Sequence, residues 1–310
     1  MKVLVTCPPM LRNLDEFRPV FEQRAIEVAA PRVVQTLTEP ELIELLPGCD
    51  GWIIGDDPAT RAVFAAGKAG NLKAAVKWGV GVDNVDFEAA GELGIPIANT
   101  PGMFGKEVAD LAVGYVIALA REFVAIDRGV RGGGWPKPTG MSLAGRTVAL
   151  VGYGDIGRNT ARRLLAAEMR VVAYDPVLEA GHPPPPIEVA VWPDRVEEAD
   201  FIVLTCALTP ETRHMLDATT LSRLRPGVRV VNVARGALID ESALVRALES
   251  GQVSAAALDV FEDEPLPGDS PMRRFDRCIL GSHNGSNTVD AVRRASERAI
   301  DLLFGFLGVS

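Results

Sequence analysis

Three polar segments of this chain carry side chains suited to proton and carboxylate chemistry. Arg235 follows Val231-Asn232-Val233-Ala234, and Glu262-Asp263-Glu264 follows Ala257-Leu258-Asp259-Val260-Phe261. His283 sits in Gly281-Ser282-His283-Asn284-Gly285-Ser286-Asn287-Thr288. A guanidinium can fork onto a carboxylate with two parallel bonds and polarise an adjacent carbonyl, which an ammonium cannot do. An imidazole titrates near working pH and is the natural acid/base. A carboxylate beside it holds the ring, stabilises its protonated form and raises its pKa. Each residue type also has a plainer use. Arg235 could serve a structural ion pair, and the acidic run could be a solvated face. A histidine on its own is more often structural, which is how His182 and His214 read.

A second constellation binds rather than reacts. Val148-Ala149-Leu150-Val151 runs into Gly152-Tyr153-Gly154-Asp155-Ile156-Gly157, a strand entering G-x-G-x-x-G. A helical stretch from Arg158 to Ala167 follows, and a strand from Arg170 to Tyr174 ends at Asp175. That context is the one in which the motif binds a dinucleotide. Gly152 permits the tight turn, Gly154 the close approach of a pyrophosphate, and Gly157 the packing of helix on strand. The helix N-terminus offers N–H groups to the diphosphate. Asp175 would bind the adenosine ribose and repel a 2′-phosphate, favouring NAD over NADP; Arg158 softens that preference. The competing reading is a Rossmann-like domain with a vestigial site.

The elements needed to position these groups can be read along the chain. Val3 to Thr6, Gly51 to Ile54, Ala74 to Val76 and Ile95 to Ala98 read as strands. Helices are expected at Asp15 to Arg24, from the capping box at Thr38-Glu39-Pro40-Glu41 to about Leu46, at Thr60 to Ala66 and at Asp86 to Leu93. A long helix is expected from Lys106 to Arg128, ended by the glycine- and proline-rich loop from Gly132 to Pro138. A second series of strands begins at Thr147, then Val171 to Tyr174, Phe201 to Thr205, Val228 to Val233 and Ala255 to Val260. His182 and Pro183 to Pro186 fall in a connection. Val289 to Leu307 reads as an amphipathic helix returning to the first domain. Alternating strands and helices predict an α/β fold with parallel sheets, in two domains: residues 1–99 with 286–310, and 100–285.

Composition narrows the partners. The 310 residues are 47% hydrophobic and 24% charged, which excludes a disordered chain. The 32 basic and 41 acidic residues leave a net charge of −9, the wrong sign for a general nucleic-acid binder. The first residues, M-K-V-L-V-T-C-P-P-M, lack the apolar run of a secretory signal. Leu111 to Ala120 is about half of what a bilayer span needs. Cys7, Cys49, Cys206 and Cys278 are far apart, with no C-x-x-C pair and no metal-ligand spacing. A reduced, cytoplasmic protein without a bound metal and without membrane contact is expected.

Taken together, the glycine motif and the three polar segments resemble the D-isomer-specific 2-hydroxyacid dehydrogenases, the family of phosphoglycerate dehydrogenase and glyoxylate/hydroxypyruvate reductase. The resemblance extends to Trp78-Gly79-Val80-Gly81-Val82-Asp83-Asn84-Val85-Asp86, to Asn99-Thr100-Pro101-Gly102 and to Leu208-Thr209-Pro210-Glu211-Thr212-Arg213. It implies two Rossmann-like or flavodoxin-like α/β domains, with a doubly wound parallel sheet in the cofactor domain. It also implies NAD-dependent interconversion of a small 2-oxo acid and its D-2-hydroxy acid, with Arg235, Glu264 and His283 as the catalytic residues. Of the acidic run, Glu264 is singled out by its place before Pro265 in the family pattern. Gly152 through Gly157, Asp175, Thr209 and Asp259 would hold NAD, Asp259 at the carboxamide. The N–H groups of Val80, Gly81 and Val82 would join Arg235 on the substrate carboxylate. Hinge closure near Asn99 and Gly285 and a homodimer built on the cofactor domain, through the helix near Lys106 to Arg128 and the loop at Trp135, follow from the same resemblance.

Departures from the family pattern bear on substrate and regulation. Phosphoglycerate dehydrogenases typically place an arginine for phosphate where this chain has Gly55-Asp56-Asp57-Pro58. Two carboxylates there would repel a phosphomonoester, although Lys106 could compensate. A carboxyl-terminal regulatory domain, and serine feedback through it, are not expected. Thr205 and Ala207 stand where relatives often have histidine and proline. Formate-dehydrogenase-like relatives use glutamine at the position of Glu264. The alternative to an enzyme is a non-catalytic NAD(H)-sensing protein on the same fold, like the corepressors that resemble these dehydrogenases.

Overall fold

The computed structural model describes residues 1–179 and 186–309; His182 and Pro183 to Pro185 lie outside them. Two compact units emerge, Met1–Phe104 with Asn287–Ser310, and Gly105–Ser286. Every strand pairing in both sheets is parallel. The α/β expectation is borne out.

The first unit is built on β1 (Lys2–Val5), β2 (Glu27–Ala29), β3 (Gly51–Ile54), β4 (Ala74–Lys77) and β5 (Ile97–Asn99), in the order β2-β1-β3-β4-β5. That is the flavodoxin-like winding. β3 and β4 are buried along their whole length, as strands covered on both faces must be. The capping box forms as expected, the Thr38 N–H donating to the Glu41 carboxylate at 2.7 Å ahead of helix Glu39–Leu45. Helix Val289–Leu307 packs on β3 and β4 through Ala291, Ala295, Ala299, Ile300, Leu303 and Phe304, a stripe at helical spacing. Burying each large side chain there contributes about 1.5–3 kcal/mol. The Trp78 indole N–H donates to the Ser296 hydroxyl at 3.1 Å, tying the helix to the end of β4.

The second unit contains β6 (Thr147–Val151), β7 (Arg170–Tyr174), β8 (Glu188–Val189), β9 (Phe201–Leu204), β10 (Val228–Asn232), β11 (Val253–Leu258) and β12 (Ile279–Leu280). Their order is β12-β11-β10-β9-β6-β7-β8. The chain starts at β6, winds outward through β7 and β8, then returns to β9 and winds the other way. The reversal between β6 and β9 makes a topological switch point, where open sheets of this kind bind ligands. Among the described residues, no helix is long and apolar enough to cross a membrane.

One expected element is not as predicted. The long helix divides into Gly105–Arg121 and Phe123–Arg131, with Glu122 between them at φ +54°. The cause is tertiary: the Ala120 carbonyl accepts the Met141 N–H at 2.8 Å, so the loop takes an acceptor that a continuous helix would have used. Also unmarked by the sequence pattern are the ten-residue helix Glu241–Ser250 and helix Ala218–Arg223, along with shorter pieces such as β2, β8, β12 and helix Pro8–Arg12.

Candidate active site on the rim of the seven-stranded sheet

Because all strands of the second unit run the same way, the segments leaving their carboxyl ends share one rim. Gly152–Gly157 leaves β6, Asp175 follows β7, and Thr209 lies beyond β9. Arg235, Glu264 and His283 leave the adjacent strands β10, β11 and β12.

The glycine turn has the stereochemistry a dinucleotide needs. Gly152 has φ +91°, and a Cβ there would lie 2.6 Å from the Cys206 backbone. The Thr205 hydroxyl donates to the carbonyls of Gly152, at 2.9 Å, and Val151, at 3.1 Å, so this departure from the family pattern braces the turn. A Cβ on Gly157 would strike the Gly152 carbonyl, whereas one on Gly154 would meet nothing within 4 Å. Space is therefore open where a pyrophosphate approaches. Helix Asp155–Ala166 starts at Gly154 with no side chain capping it, which leaves its first N–H groups available to an anion. The Asp175 carboxylate accepts the Tyr153 N–H at 2.7 Å and the Val177 N–H at 2.9 Å. Two of its roughly four acceptor positions remain for a ribose. These residues fit NAD.

Not every cofactor candidate faces the turn with its side chain. The Asp155 carboxylate lies against Gly105 and accepts from Asn159 at 3.2 Å. Ile156 is half-buried, and Thr209 is exposed in a small turn closed by its N–H on the Thr212 hydroxyl at 2.7 Å.

Glu264 and His283 are in direct contact, His283 Nδ1 lying 2.7 Å from Glu264 Oε2. Both side chains are about four-fifths shielded, at 22% and 19% exposure, so the pair is only weakly screened. The Phe261 N–H donates to the other Glu264 oxygen at 2.9 Å. Glu262, the neighbour that competes with Glu264 in sequence, pairs with His214 instead. Arg235 is half-buried, its Nη1 donating to the Ala234 carbonyl at 2.8 Å and its own carbonyl accepting from Asn232 Nδ2 at 2.8 Å. The next residue, Gly236, has no room for a side chain because the Phe261–Glu262 backbone lies against it. Arg235 is thereby held beside the segment that bears Glu264.

Asp259 is 2% exposed. Its carboxylate accepts the N–H groups of Asn284 at 3.1 Å and Gly285 at 2.8 Å, so it anchors the loop that carries His283.

In the first unit, the Trp78–Val82 turn follows β4. Gly79 has φ +144°, and its N–H donates to the Thr100 hydroxyl at 2.9 Å. Asn99 Nδ2 donates to the Val80 carbonyl at 3.1 Å. Val80 and Val82 are exposed, and Gly81 is half-exposed between them. Asn99 and Thr100 were legible as a motif, but their duty as braces for this turn was not.

The two adjacent carboxylates expected to repel phosphate are not presented together. Asp57 is fully buried, accepting from the Thr6 hydroxyl, the Leu37 N–H at 2.8 Å and the Gly55 N–H at 3.0 Å. Asp56 is paired with the buried Lys77 ammonium at 2.9 Å. Only one carboxylate faces outward, and a cation opposes it.

Comparison with known proteins agrees with this arrangement. Residues 113–285 match the family described as D-isomer specific 2-hydroxyacid dehydrogenase, NAD binding domain. The chain is 37% identical over 279 residues to the hydroxypyruvate reductase of Thermotoga maritima, covering 88% of this chain and 90% of that protein. The crystal structure of the TT0316 protein from Thermus thermophilus superposes with a TM-score of 0.87 at 34% identity, over 99% of this chain and 97% of that one. The NAD-dependent formate dehydrogenase of Staphylococcus aureus in complex with NAD gives a TM-score of 0.87 at 28% identity, over 99% and 96% of the two chains. This chain belongs to the D-isomer-specific 2-hydroxyacid dehydrogenase family.

Proposed function

We infer that this NAD-dependent 2-hydroxyacid oxidoreductase works as a reductase of a small 2-oxo acid, with Arg235, Glu264 and His283 as its catalytic residues. The observation that carries this reading is the His283–Glu264 contact on the rim that also bears the glycine turn. NAD, when bound in its reduced form, supplies the hydride. Arg235 forks onto the substrate carboxylate and polarises the neighbouring carbonyl. His283, through Nε2, gives its proton to the carbonyl oxygen as that oxygen becomes a hydroxyl. Glu264 keeps the ring oriented through Nδ1 and favours the imidazolium before transfer. The N–H groups of Val80, Gly81 and Val82 add donors for the carboxylate, and Asp175 binds the ribose and disfavours a 2′-phosphate. Asp259 retains acceptor positions with which to hold the carboxamide.

The Thermotoga and Staphylococcus relatives carry enzyme names, which supports catalysis over the alternative of a silent NAD sensor. A homodimer through the cofactor-binding unit is supported by helix Phe123–Arg131, none of whose residues is buried, and by Trp135, 77% exposed. Four free thiols support a cytoplasmic home. One assay tests the central reading: turnover of glyoxylate, hydroxypyruvate, pyruvate and branched 2-oxo acids with NADH and with NADPH. Oxidation of NADH by at least one of them is the expected result. Tight NADH binding without turnover of any would overturn it.

A further inference from the structure

The loop that presents His283 is held from behind by a residue of a different helix. Tyr115 lies in the apolar stretch Leu111 to Ala120 of helix Gly105–Arg121, and its hydroxyl reaches the Asp259 carboxylate beside Gly281, where a Cβ would stand 2.5 Å from Asp259 Oδ1 and 2.7 Å from the phenol oxygen. Asp259 in turn grips the loop at three points. Its carboxylate takes the N–H groups of Asn284 and Gly285, and its backbone carbonyl takes the His283 N–H at 2.6 Å. Between them His283 adopts φ +53°, a left-handed conformation that a residue with a Cβ rarely holds unaided. Tyr115 also closes the space beneath the loop, since a Cβ on Gly281 would fall 2.7 Å from the phenol oxygen. Burial and the nearby Asp259 charge both push the phenol up, so its hydroxyl remains a donor throughout the working pH range.

We propose that Tyr115 is a positioning residue for the acid/base: through Asp259 it keeps His283 in the conformation that joins Nδ1 to Glu264. The inference rests on His283 being that acid/base. A buried carboxylate needs its donors, and Asp259 uses Tyr115 from below and the loop N–H groups from above. Without the phenol hydroxyl, the carboxylate moves to recover a donor or admits water, and the loop it carries moves with it. NAD is held mainly by the glycine turn and Asp175, so its affinity falls less than turnover does, by no more than the share that Asp259 supplies at the carboxamide.

The experiment compares wild type, Tyr115→Phe and His283→Asn, each confirmed as folded by circular dichroism, with the best substrate of the oxo-acid panel. Steady-state kinetics, NADH titration by fluorescence and proton NMR of the downfield His283 Nδ1–H resonance are the readouts. For Tyr115→Phe, kcat falls roughly tenfold, the scale of one hydrogen bond to a charged group, NADH affinity falls by a clearly smaller factor, and the Nδ1–H resonance moves or broadens. Wild-type kcat with an unmoved resonance overturns the proposal, as does a loss lying wholly in NADH affinity. His283→Asn separates the two ideas: if it abolishes turnover while Tyr115→Phe is silent, only the role of Tyr115 fails. Turnover retained in His283→Asn refutes the acid/base assignment itself. Should Tyr115→Phe not fold, Tyr115→Met fills a similar volume without a donor and gives the same readouts.

Discussion

His283 and Glu264 meet at 2.7 Å although nineteen positions separate them, and the Phe261 N–H fixes the far oxygen of the same carboxylate at 2.9 Å. Glu264 is thus a two-sided clamp, one oxygen on the backbone of its own turn and the other on the imidazole. Replacing it with glutamine keeps the shape and removes the charge that stabilises an imidazolium. Glu264→Gln is expected to lower kcat by about a hundredfold, the lower range of a general acid/base contribution, while the KM for NADH stays within a factor of about two. Steady-state kinetics on purified protein checks both numbers.

Arg235 carries a different burden. Its backbone is pinned by Asn232 and by the close approach of Gly236 to the next segment, so the side chain can change without displacing the loop. Arg235→Ala should lose on the order of 3 kcal/mol of transition-state binding, seen in kcat/KM for the oxo acid. Arg235→Lys should recover little of it, because an ammonium cannot form the parallel pair. Near-complete rescue by lysine would mean that the forked geometry is unimportant.

Asp175 supports the glycine turn besides its proposed part in nucleotide selection. Because it accepts N–H groups from Tyr153 and Val177, its removal should disturb the turn as well as the proposed ribose site. Asp175→Ser is expected to narrow the preference for NADH over NADPH by about tenfold or more, and to weaken NADH itself. Titration of each nucleotide by fluorescence measures the two effects separately.

A charge network near β7 makes stability depend on pH. Arg170 and Arg195 each contact both Glu188 and Glu198, at 2.6 to 3.0 Å. Hydrogen bonds from Arg170 and then Arg195 pull Glu188 down to about 2, and those from Arg195 and then Arg170 pull Glu198 down to about 2. The unfolded chain therefore takes up protons first as pH falls. The network's contribution is complete above the ordinary glutamate value near 4.5 and disappears as pH falls toward 2. These side chains are 33 to 40% exposed, so the effect is modest and weakened by salt. The difference in Tm between wild type and Arg195→Gln should shrink steadily as pH is lowered from about 5 to about 3. A constant difference would show that the arginine acts through packing alone.

How much of this was legible beforehand depended on the range of the forces involved. Thr147–Val151, Gly51–Ile54 and Val289–Leu307 could be read residue by residue, since local apolar patterning alone fixes a strand covered on both faces or a striped helix. The glycine turn and the three polar segments were visible because their spacing is set by strand ends. What escaped was tertiary in origin. Glu122 breaks a helix only because Met141 takes the carbonyl of Ala120 from outside. Asp57 was read beside Asp56 as a surface charge, yet three donors from Thr6, Leu37 and Gly55 draw it inside. Tyr115 offered no more than one hydroxyl in an apolar stretch, and its partner lies more than a hundred positions away.

The winding of the seven-stranded sheet separates two kinds of duty. At the end where the strands begin, Asp200 gathers Arg146 and Arg225 and the Thr147 N–H, all of it housekeeping for the fold. The turns at Gly145 and Gly227 on that side are left-handed, and a Cβ at either would meet nothing. A reporter peptide or affinity handle spliced into one of those turns should leave reaction rates untouched, because every group proposed to handle nucleotide or oxo acid in this unit follows the opposite ends of the strands.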